Sequence, residues 1–213
     1  MPSSTKFTSI LIAVWLLLCL GGFWMLLEYS NTPGDVGKPN AGWVIPAGLE
    51  VETENATLVL FAHPRCPCTR ATMSELERLQ GDYTDAYSML VVFYEPIDGG
   101  DEWRSTDLWR RARAMENTVA IADPGGVLAM DAGATTSGQL MLMNADGGME
   151  FWGGITASRG HEGESLGGIA LRDLFRGLDT AHRRTSVFGC PLSADDGGLE
   201  CIVEEACCEL TGD

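Results

Sequence analysis

Two cysteines separated by a single proline form the part of this sequence best suited to chemistry. The segment HPRCPC, residues 63–68, follows an apolar run at 57–61 and precedes a helix-like pattern at 69–79. At the first turn of a helix, free amide hydrogens and the helix dipole favour a thiolate over a thiol, and Arg65 adds a cation. The position and spacing of Cys66 and Cys68 therefore predict redox or metal chemistry. Two reduced cysteines without a role, or halves of two structural bridges, are the alternative interpretation.

A disulfide between Cys66 and Cys68 would close a small ring around Pro67. Extended residues two positions apart have Cα atoms near the upper edge of the roughly 4.4–6.8 Å that a disulfide accepts. We expect such a bond to be strained, and strain makes a disulfide easier to reduce. It would therefore serve exchange better than it would serve as a structural bridge. Cys66 comes first and is the expected nucleophile.

A glycine-rich segment at 153–163 carries Arg159, His161 and Glu162 after a predicted strand. Glycines let a loop approach another backbone closely, and loops on a rigid sheet often carry function. We expect Arg159 to stabilise a thiolate and His161 to act as a general base or a metal ligand. The alternative is an ordinary loop in which Arg159 and Glu162 pair with each other.

Histidines beside the cysteines leave a metal site open as a second interpretation. His63, Cys66, Cys68 and His161 make a soft sulfur and nitrogen set that suits Cu(I) or Zn²⁺. His63 is as easily explained as a packing or capping residue at the end of the strand.

Six cysteines follow the N-terminal apolar segment, so their pairing cannot be deduced from spacing. Cys190, in VFGCPL at 187–192, is either a resolving partner for the Cys66 and Cys68 site or part of a structural tail. The other three cysteines lie in that tail: Cys201, Cys207 and Cys208.

The N-terminal segment predicts a membrane anchor. Ile10 to Leu27 is uncharged and, as a helix, is about 27 Å long, enough to cross a hydrocarbon core. Lys6 precedes it and Glu28 follows it, which places the N-terminus in the cytoplasm and exports the rest. Because no A-x-A-like cleavage site ends the segment, an uncleaved anchor is favoured over a signal peptide or a lipoprotein. Disulfides persist on the exported side.

The chain is strongly acidic. Fourteen basic residues against thirty acidic ones give a net charge of −16, which argues against nucleic acid and anionic lipid surfaces as partners.

Hydrophobic patterns predict one α/β domain with the element order β-α-β-α-β-β-β-α, hence a mixed sheet flanked by helices. Predicted strands cover 57–61, 87–94, 118–122, 139–143 and 149–152, and predicted helices cover 69–79, 103–115 and 166–180. The expected organisation is a cytoplasmic N-terminus (1–9), an anchor (10–28), an extended linker rich in Gly, Pro and Asn (29–48), the domain (49–182) and a Cys-rich tail (183–213).

Four motifs resemble those of membrane-anchored, thioredoxin-like bacterial proteins of the RedB type, over roughly residues 43–192. They are FAHPRCPCT (61–69), GATTSG (133–138), FWGGITASRGHEG (151–163) and VFGCPL (187–192). The resemblance implies a thioredoxin-like fold on the periplasmic side of a bacterial cytoplasmic membrane. It also implies a protein thiol or disulfide as partner. Thiol-disulfide exchange requires no bound cofactor, because the electrons pass through the cysteines.

The sequence departs from ordinary thioredoxins in two ways. Their active-site cysteines are separated by two residues, and a cis-proline faces them, whereas the equivalent segment here, 135–138, holds no proline. In thioredoxins that proline shapes the groove and keeps metal off the thiols.

Three functions remain open on these grounds. The leading one is an exported thiol-disulfide oxidoreductase in which Cys66 or Cys68 attacks a partner's disulfide. The second is a copper-binding or copper-delivery protein that uses both cysteines and His161, with zinc as another possible metal. The third is a non-catalytic domain with structural cysteines.

Overall fold

The computed structural model describes residues 3–49, 51 and 55–192, and the predicted tail cysteines Cys201, Cys207 and Cys208 lie outside these residues. Five strands form one sheet: β1 (Ala56–Ala62), β2 (Tyr87–Glu95), β3 (Thr118–Pro124), β4 (Gln139–Met143) and β5 (Met149–Gly153). Their spatial order is β3-β2-β1-β4-β5. The first three are parallel, while β4 is antiparallel to both β1 and β5. The helices are α1 (Ser3–Asn31), α2 (Pro67–Tyr83), α3 (Asp101–Arg104), α4 (Asp107–Ala114), α5 (Val127–Ala132) and α6 (Leu166–Phe175).

This architecture confirms the predicted thioredoxin-like fold with an apolar helix in front of it. The predicted strands are present, but three helical predictions need correction. The single helix expected at 103–115 is two helices, because the Thr106 hydroxyl accepts the Trp109 N–H and starts α4 there. The last helix ends at Phe175 rather than 180, and Gly177 follows with φ 72°. α5 was not predicted; at six residues it is too short to show a helical period.

One face of the sheet packs against α2, α4 and α6. Alternate residues of β1, Leu58 and Leu60, point to this face, and Val59 points to the other. All three are fully buried, which is why the strand reads as a continuous apolar run. On α2, Met73 and Leu76 lie three residues apart and enter the same core, so their spacing fixes how the helix sits on the sheet.

The segment predicted as an extended linker lies against the second face of the sheet. Trp43 is buried there beside Phe61, with a ring separation of 5.9 Å, and Val36 and Ile45 pack around them. Backbone contacts hold the segment in place, including Asn40 N–H to the Ala132 carbonyl at 3.0 Å. The Gly, Pro and Asn composition therefore describes irregular backbone rather than a free tether, since a few large apolar residues complete the core.

α1 is long and apolar enough to cross a membrane. Its segment from Lys6 to Asn31 contains an 18-residue stretch with a mean hydropathy of 2.6, and none of that stretch is buried against the rest of the protein.

Sheet topology brings the candidate site together at one edge. Phe61, near the carboxyl end of β1, pairs with Gln139 at the start of β4, and Leu140 pairs with Gly153 at the end of β5. The cysteine motif after β1, the loop before β4 and the glycine-rich loop after β5 therefore emerge side by side.

Candidate functional site

Cys66 occupies the N-cap position of α2. Its backbone is extended, with φ −76° and ψ 120°, and Pro67 takes the first helical position, where a missing N–H costs nothing. The side chain is only 1% exposed. The predicted placement of a cysteine where the first strand meets the first helix is therefore present in the structure.

A short chain of hydrogen bonds reaches the Cys66 sulfur from the loop before β4. The His63 N–H donates to the Ser137 hydroxyl at 2.7 Å, and the Ser137 and Thr69 hydroxyl oxygens are 2.6 Å apart. With Ser137 donating to Thr69, the Thr69 proton is free to donate to the Cys66 sulfur. Ser137 and Thr69 are both fully buried, so this arrangement is shielded from water.

These contacts favour the ionised form of Cys66. Burial opposes ionisation, but hydrogen bonds from the Thr69 hydroxyl, the Cys190 N–H and the Cys190 thiol outweigh it and lower the pKa of Cys66 below its ordinary value. That the first cysteine is the more reactive one stays a prediction, which these contacts favour.

Cys190 lies directly against Cys66. Their Sγ atoms are 3.3 Å apart, within hydrogen-bonding range for sulfur. Burial, the hydrogen bond to Cys66 and the negative charge of Cys66 raise the pKa of Cys190 to about 12. When Cys66 is ionised, Cys190 is the neutral donor of this pair and Cys66 is the acceptor.

The pKa of Cys68 is shifted in the opposite direction to that of Cys66. It is 7% exposed, and burial together with the nearby Cys66 charge raises its pKa, while the charge and hydrogen bond of Arg159 act against that rise. The three cysteines Cys66, Cys68 and Cys190 are all free thiols in the structure. Of these three cysteines, Cys66 is the one whose pKa is lowered.

Arg159, predicted as a thiolate-stabilising cation, reaches the site and acts on Cys68. Its Nη1 donates to the Gly189 carbonyl at 2.5 Å, and its guanidinium lies 4.9 Å from the centre of the Tyr29 ring. Its backbone N–H donates to Ser30 at 2.9 Å. The side-chain Nε is buried without a hydrogen-bond partner among the described residues. Arg159 therefore joins the end of α1 to the cysteine cluster.

His63 and Arg65 make a separate aromatic cluster. The His63 ring stacks on Tyr94 at 5.6 Å, and its Nδ1 accepts the Arg65 N–H at 3.2 Å. Burial and the Arg65 charge lower the pKa of His63. The Arg65 guanidinium lies 3.9 Å from the centre of the Trp103 ring and 3.5 Å from the Glu102 carboxylate. The hydrogen bonds that lower the pKa of Cys66 come from other residues.

His161 lies exposed on the glycine-rich loop, where its backbone N–H donates to Ser158 at 3.3 Å. Its neighbour Glu162 pairs with Arg78 at 2.7 Å, so the alternative Arg159 and Glu162 pair is not the one that forms. Across the described residues, no three His, Cys, Asp or Glu side chains are arranged to hold a metal ion. The structure therefore does not bring His63, Cys66, Cys68 and His161 together as a ligand set.

Sequence reasoning missed Thr69 and Ser137, the two hydroxyl residues that connect to Cys66. Thr69 could have been found, because it is the third residue after an N-cap cysteine and so lies in the turn that faces the sulfur. Ser137 could not, because only the pairing of β1 with β4 brings it to α2.

Comparison with known proteins finds solved structures with a similar fold. No protein-family model matches the chain, and no curated protein matches it. Among solved structures, an uncharacterized conserved protein of Geobacillus kaustophilus shares 19% identity and a TM-score of 0.56, covering 78% of this chain and 94% of that one. A hypothetical protein of Sinorhizobium meliloti shares 19% identity and a TM-score of 0.56, covering 79% and 95%. A thiol-disulfide oxidoreductase of Bacteroides fragilis shares 20% identity over 68% of this chain and 98% of that one, with a TM-score of 0.45. At these identities the likeness extends to the fold alone.

Proposed function

We propose that this protein is a membrane-anchored thiol-disulfide oxidoreductase whose nucleophile is Cys66. The observation that carries the proposal is the hydrogen bonding of the Cys66 sulfur, which lowers the pKa of Cys66 although the side chain is buried. A thiolate is the reactive form of cysteine in disulfide exchange. A structural cysteine has no need of four hydrogen-bond donors, the hydroxyl and N–H of Thr69 and the N–H and thiol of Cys190, directed at its sulfur.

The reaction is a pair of thiol-disulfide exchanges. The Cys66 thiolate attacks one sulfur of a partner's disulfide, forming a mixed disulfide and releasing the partner's other sulfur as a thiolate. A second cysteine of this chain then attacks Cys66 and releases the partner as a dithiol. Both electrons remain on cysteine sulfur throughout, so no bound cofactor is required.

Location and partner belong to the same proposal. α1 anchors the chain in a membrane, and Lys6 before its apolar stretch with Glu28 after it favours an extracytoplasmic domain. The partner is a protein with a disulfide or a thiol pair. The assignment to the RedB type rests on the four sequence motifs and on the thioredoxin-like fold.

A disulfide-exchange assay tests the proposal. The full chain in detergent micelles is mixed with a protein disulfide substrate and a dithiol reductant, and reduction of the substrate is followed over time. We expect Cys66→Ser to abolish the catalysed rate. Cys19→Ser is the matched control, because Cys19 is exposed on α1 and its loss should leave the rate unchanged. An unaltered rate in Cys66→Ser would contradict the proposal.

A further inference from the structure

A short segment of this chain occupies the space over the nucleophile. Residues 189–192 run antiparallel to residues 135–137: the Ser137 N–H donates to the Cys190 carbonyl at 2.8 Å, and the Leu192 N–H donates to Thr135 at 2.9 Å. Thr136 and Pro191 form the isolated bridge between them. Pro191 has no N–H to donate, so it can stand only at a position whose N–H is not needed for this pairing.

The same segment is held at a close distance by Gly189 and Arg159. A Cβ atom on Gly189 would lie 1.8 Å from the Ser137 carbonyl oxygen, so the two backbones can approach this closely only with glycine there. Arg159 also donates to the Gly189 carbonyl. The register of the segment is therefore fixed, and this register places Cys190 on Cys66.

Cys68 also lies near Cys66. It is two residues after the N-cap, in the first turn of α2, and a side-chain hydrogen bond with Cys66 contributes to the raised pKa of Cys68. A disulfide between these two cysteines would close a small ring around Pro67. Cys190 comes from a different segment, with its sulfur already 3.3 Å from that of Cys66.

We propose that Cys190 is the resolving cysteine, so that turnover produces a disulfide between Cys66 and Cys190; this inference rests on the proposed oxidoreductase function. Cys66 is only 1% exposed and the Cys190 sulfur lies against it, so the site must open before a partner's disulfide reaches Cys66. Cys66 attacks, forming the mixed disulfide and releasing the partner's first thiolate, which takes the proton of Cys190. Cys190 then attacks the Cys66 sulfur, the bond to the partner breaks, and the partner's second thiolate leaves. The partner gains two electrons, this chain loses them, and a dithiol restores the two free thiols.

The pKa of Cys190 changes during the reaction in a way that suits its role as the resolving cysteine. Besides burial, its pKa is raised by the hydrogen bond to Cys66 and by the charge of Cys66. Both effects require a Cys66 thiolate and vanish when Cys66 is neutral in a mixed disulfide. Cys190 therefore becomes easier to ionise at the stage where it must attack.

Peptide mapping distinguishes the two possible disulfides. Trypsin releases Cys66 and Cys68 together on residues 66–70, and Cys190 on residues 185–213, which contain no further Lys or Arg. We therefore use the full chain in detergent with the other cysteines of the second peptide, at 201, 207 and 208, replaced by serine. The protein is oxidised with glutathione disulfide, free thiols are alkylated in acid, and the peptides are analysed without reduction.

The expected product is peptide 66–70 linked to peptide 185–213. This link should persist in Cys68→Ser and be lost in Cys190→Ser, where glutathione should accumulate on Cys66 instead. A disulfide inside peptide 66–70, with Cys190 alkylated and exchange activity intact, would overturn the inference and leave the proposed function standing. Free Cys66 after oxidation, in a protein without exchange activity, would overturn both.

Discussion

Replacing Thr69 with valine should raise the pKa of Cys66 and change its reactivity in a way that depends on pH. Valine has nearly the shape of threonine but lacks the hydroxyl that donates to the Cys66 sulfur. A hydrogen bond to a charged acceptor is worth about 1.5–3 kcal/mol, and sulfur is a weak acceptor, so we take about 1.5 kcal/mol. Because one pKa unit corresponds to about 1.36 kcal/mol, the ionisation constant of Cys66 should fall about tenfold.

Reactivity changes less than the ionisation constant because a more basic thiolate is a better nucleophile. With a Brønsted coefficient of about 0.4–0.5, a tenfold weaker acid gives a thiolate that reacts about threefold faster. Below the pKa of both proteins, Thr69→Val should therefore be alkylated at Cys66 about threefold more slowly than the original chain. Above both pKa values it should react about threefold faster, so the two pH profiles cross.

Alkylation by iodoacetamide across a pH series measures both profiles. Fragmentation of peptide 66–70 separates alkylation of Cys66 from that of Cys68. Thr72→Val is the matched control, since Thr72 is also buried on α2 and is not among the residues that shift the pKa of Cys66. A Thr69→Val profile that overlies that of the control, with the same midpoint, would refute the role given to the Thr69 hydroxyl.

Three further perturbations test other parts of the structure. Gly189→Ala should displace segment 187–192 at a cost of about 1–3 kcal/mol and speed alkylation of Cys66 at least about fivefold. Gly81→Ala is the control, because the space around Gly81 is open and alkylation should not change. Equal rates in the two variants would contradict the idea that segment 187–192 covers Cys66. Arg159→Met removes a cation that lowers the pKa of Cys68, so the alkylation profile of Cys68 should move to higher pH, and an unmoved midpoint would count against that contact. Tyr87→Phe removes a buried hydroxyl that has no partner among the described residues, so denaturant unfolding should show a gain of about 1 kcal/mol; a loss would mean that the hydroxyl is hydrogen-bonded.

Local sequence patterns predicted the elements of the fold where one period dominates. The apolar run at 57–61 predicted a buried strand and lies in β1. Met73 and Leu76, three residues apart in the predicted helix, both lie on the buried face of α2. Patterns failed where a side chain redirects the backbone, as the Thr106 cap does between α3 and α4. They also failed for the segment around Trp43, whose role in the second core depends on a sheet face that is visible only in three dimensions.

The site was predictable to the extent that it is local. Cys66 at the start of α2 follows from a strand-to-helix boundary, and the motif around Cys190 marked it as a possible resolving cysteine. Ser137 approaches Cys66 through strand pairing, and Cys190 approaches it through a bridge between segments more than 50 residues apart in the chain. Neither contact produces a repeating pattern in the sequence. The spacing of the cysteines alone could therefore not decide whether Cys68 or Cys190 is the disulfide partner of Cys66.

Contacts of Arg159 connect the cysteine cluster to α1. α1 ends at Asn31. The Arg159 guanidinium lies over the ring of Tyr29, near that end, and also donates a hydrogen bond to the Gly189 carbonyl. One side chain therefore spans the distance from the end of α1 to the segment that carries Cys190. If α1 crosses the membrane as proposed, the cysteines lie close to the membrane surface rather than at the far end of a long tether. A partner must then present its disulfide near the bilayer, which a membrane protein or a protein docked at the membrane can do and a freely diffusing substrate does less readily.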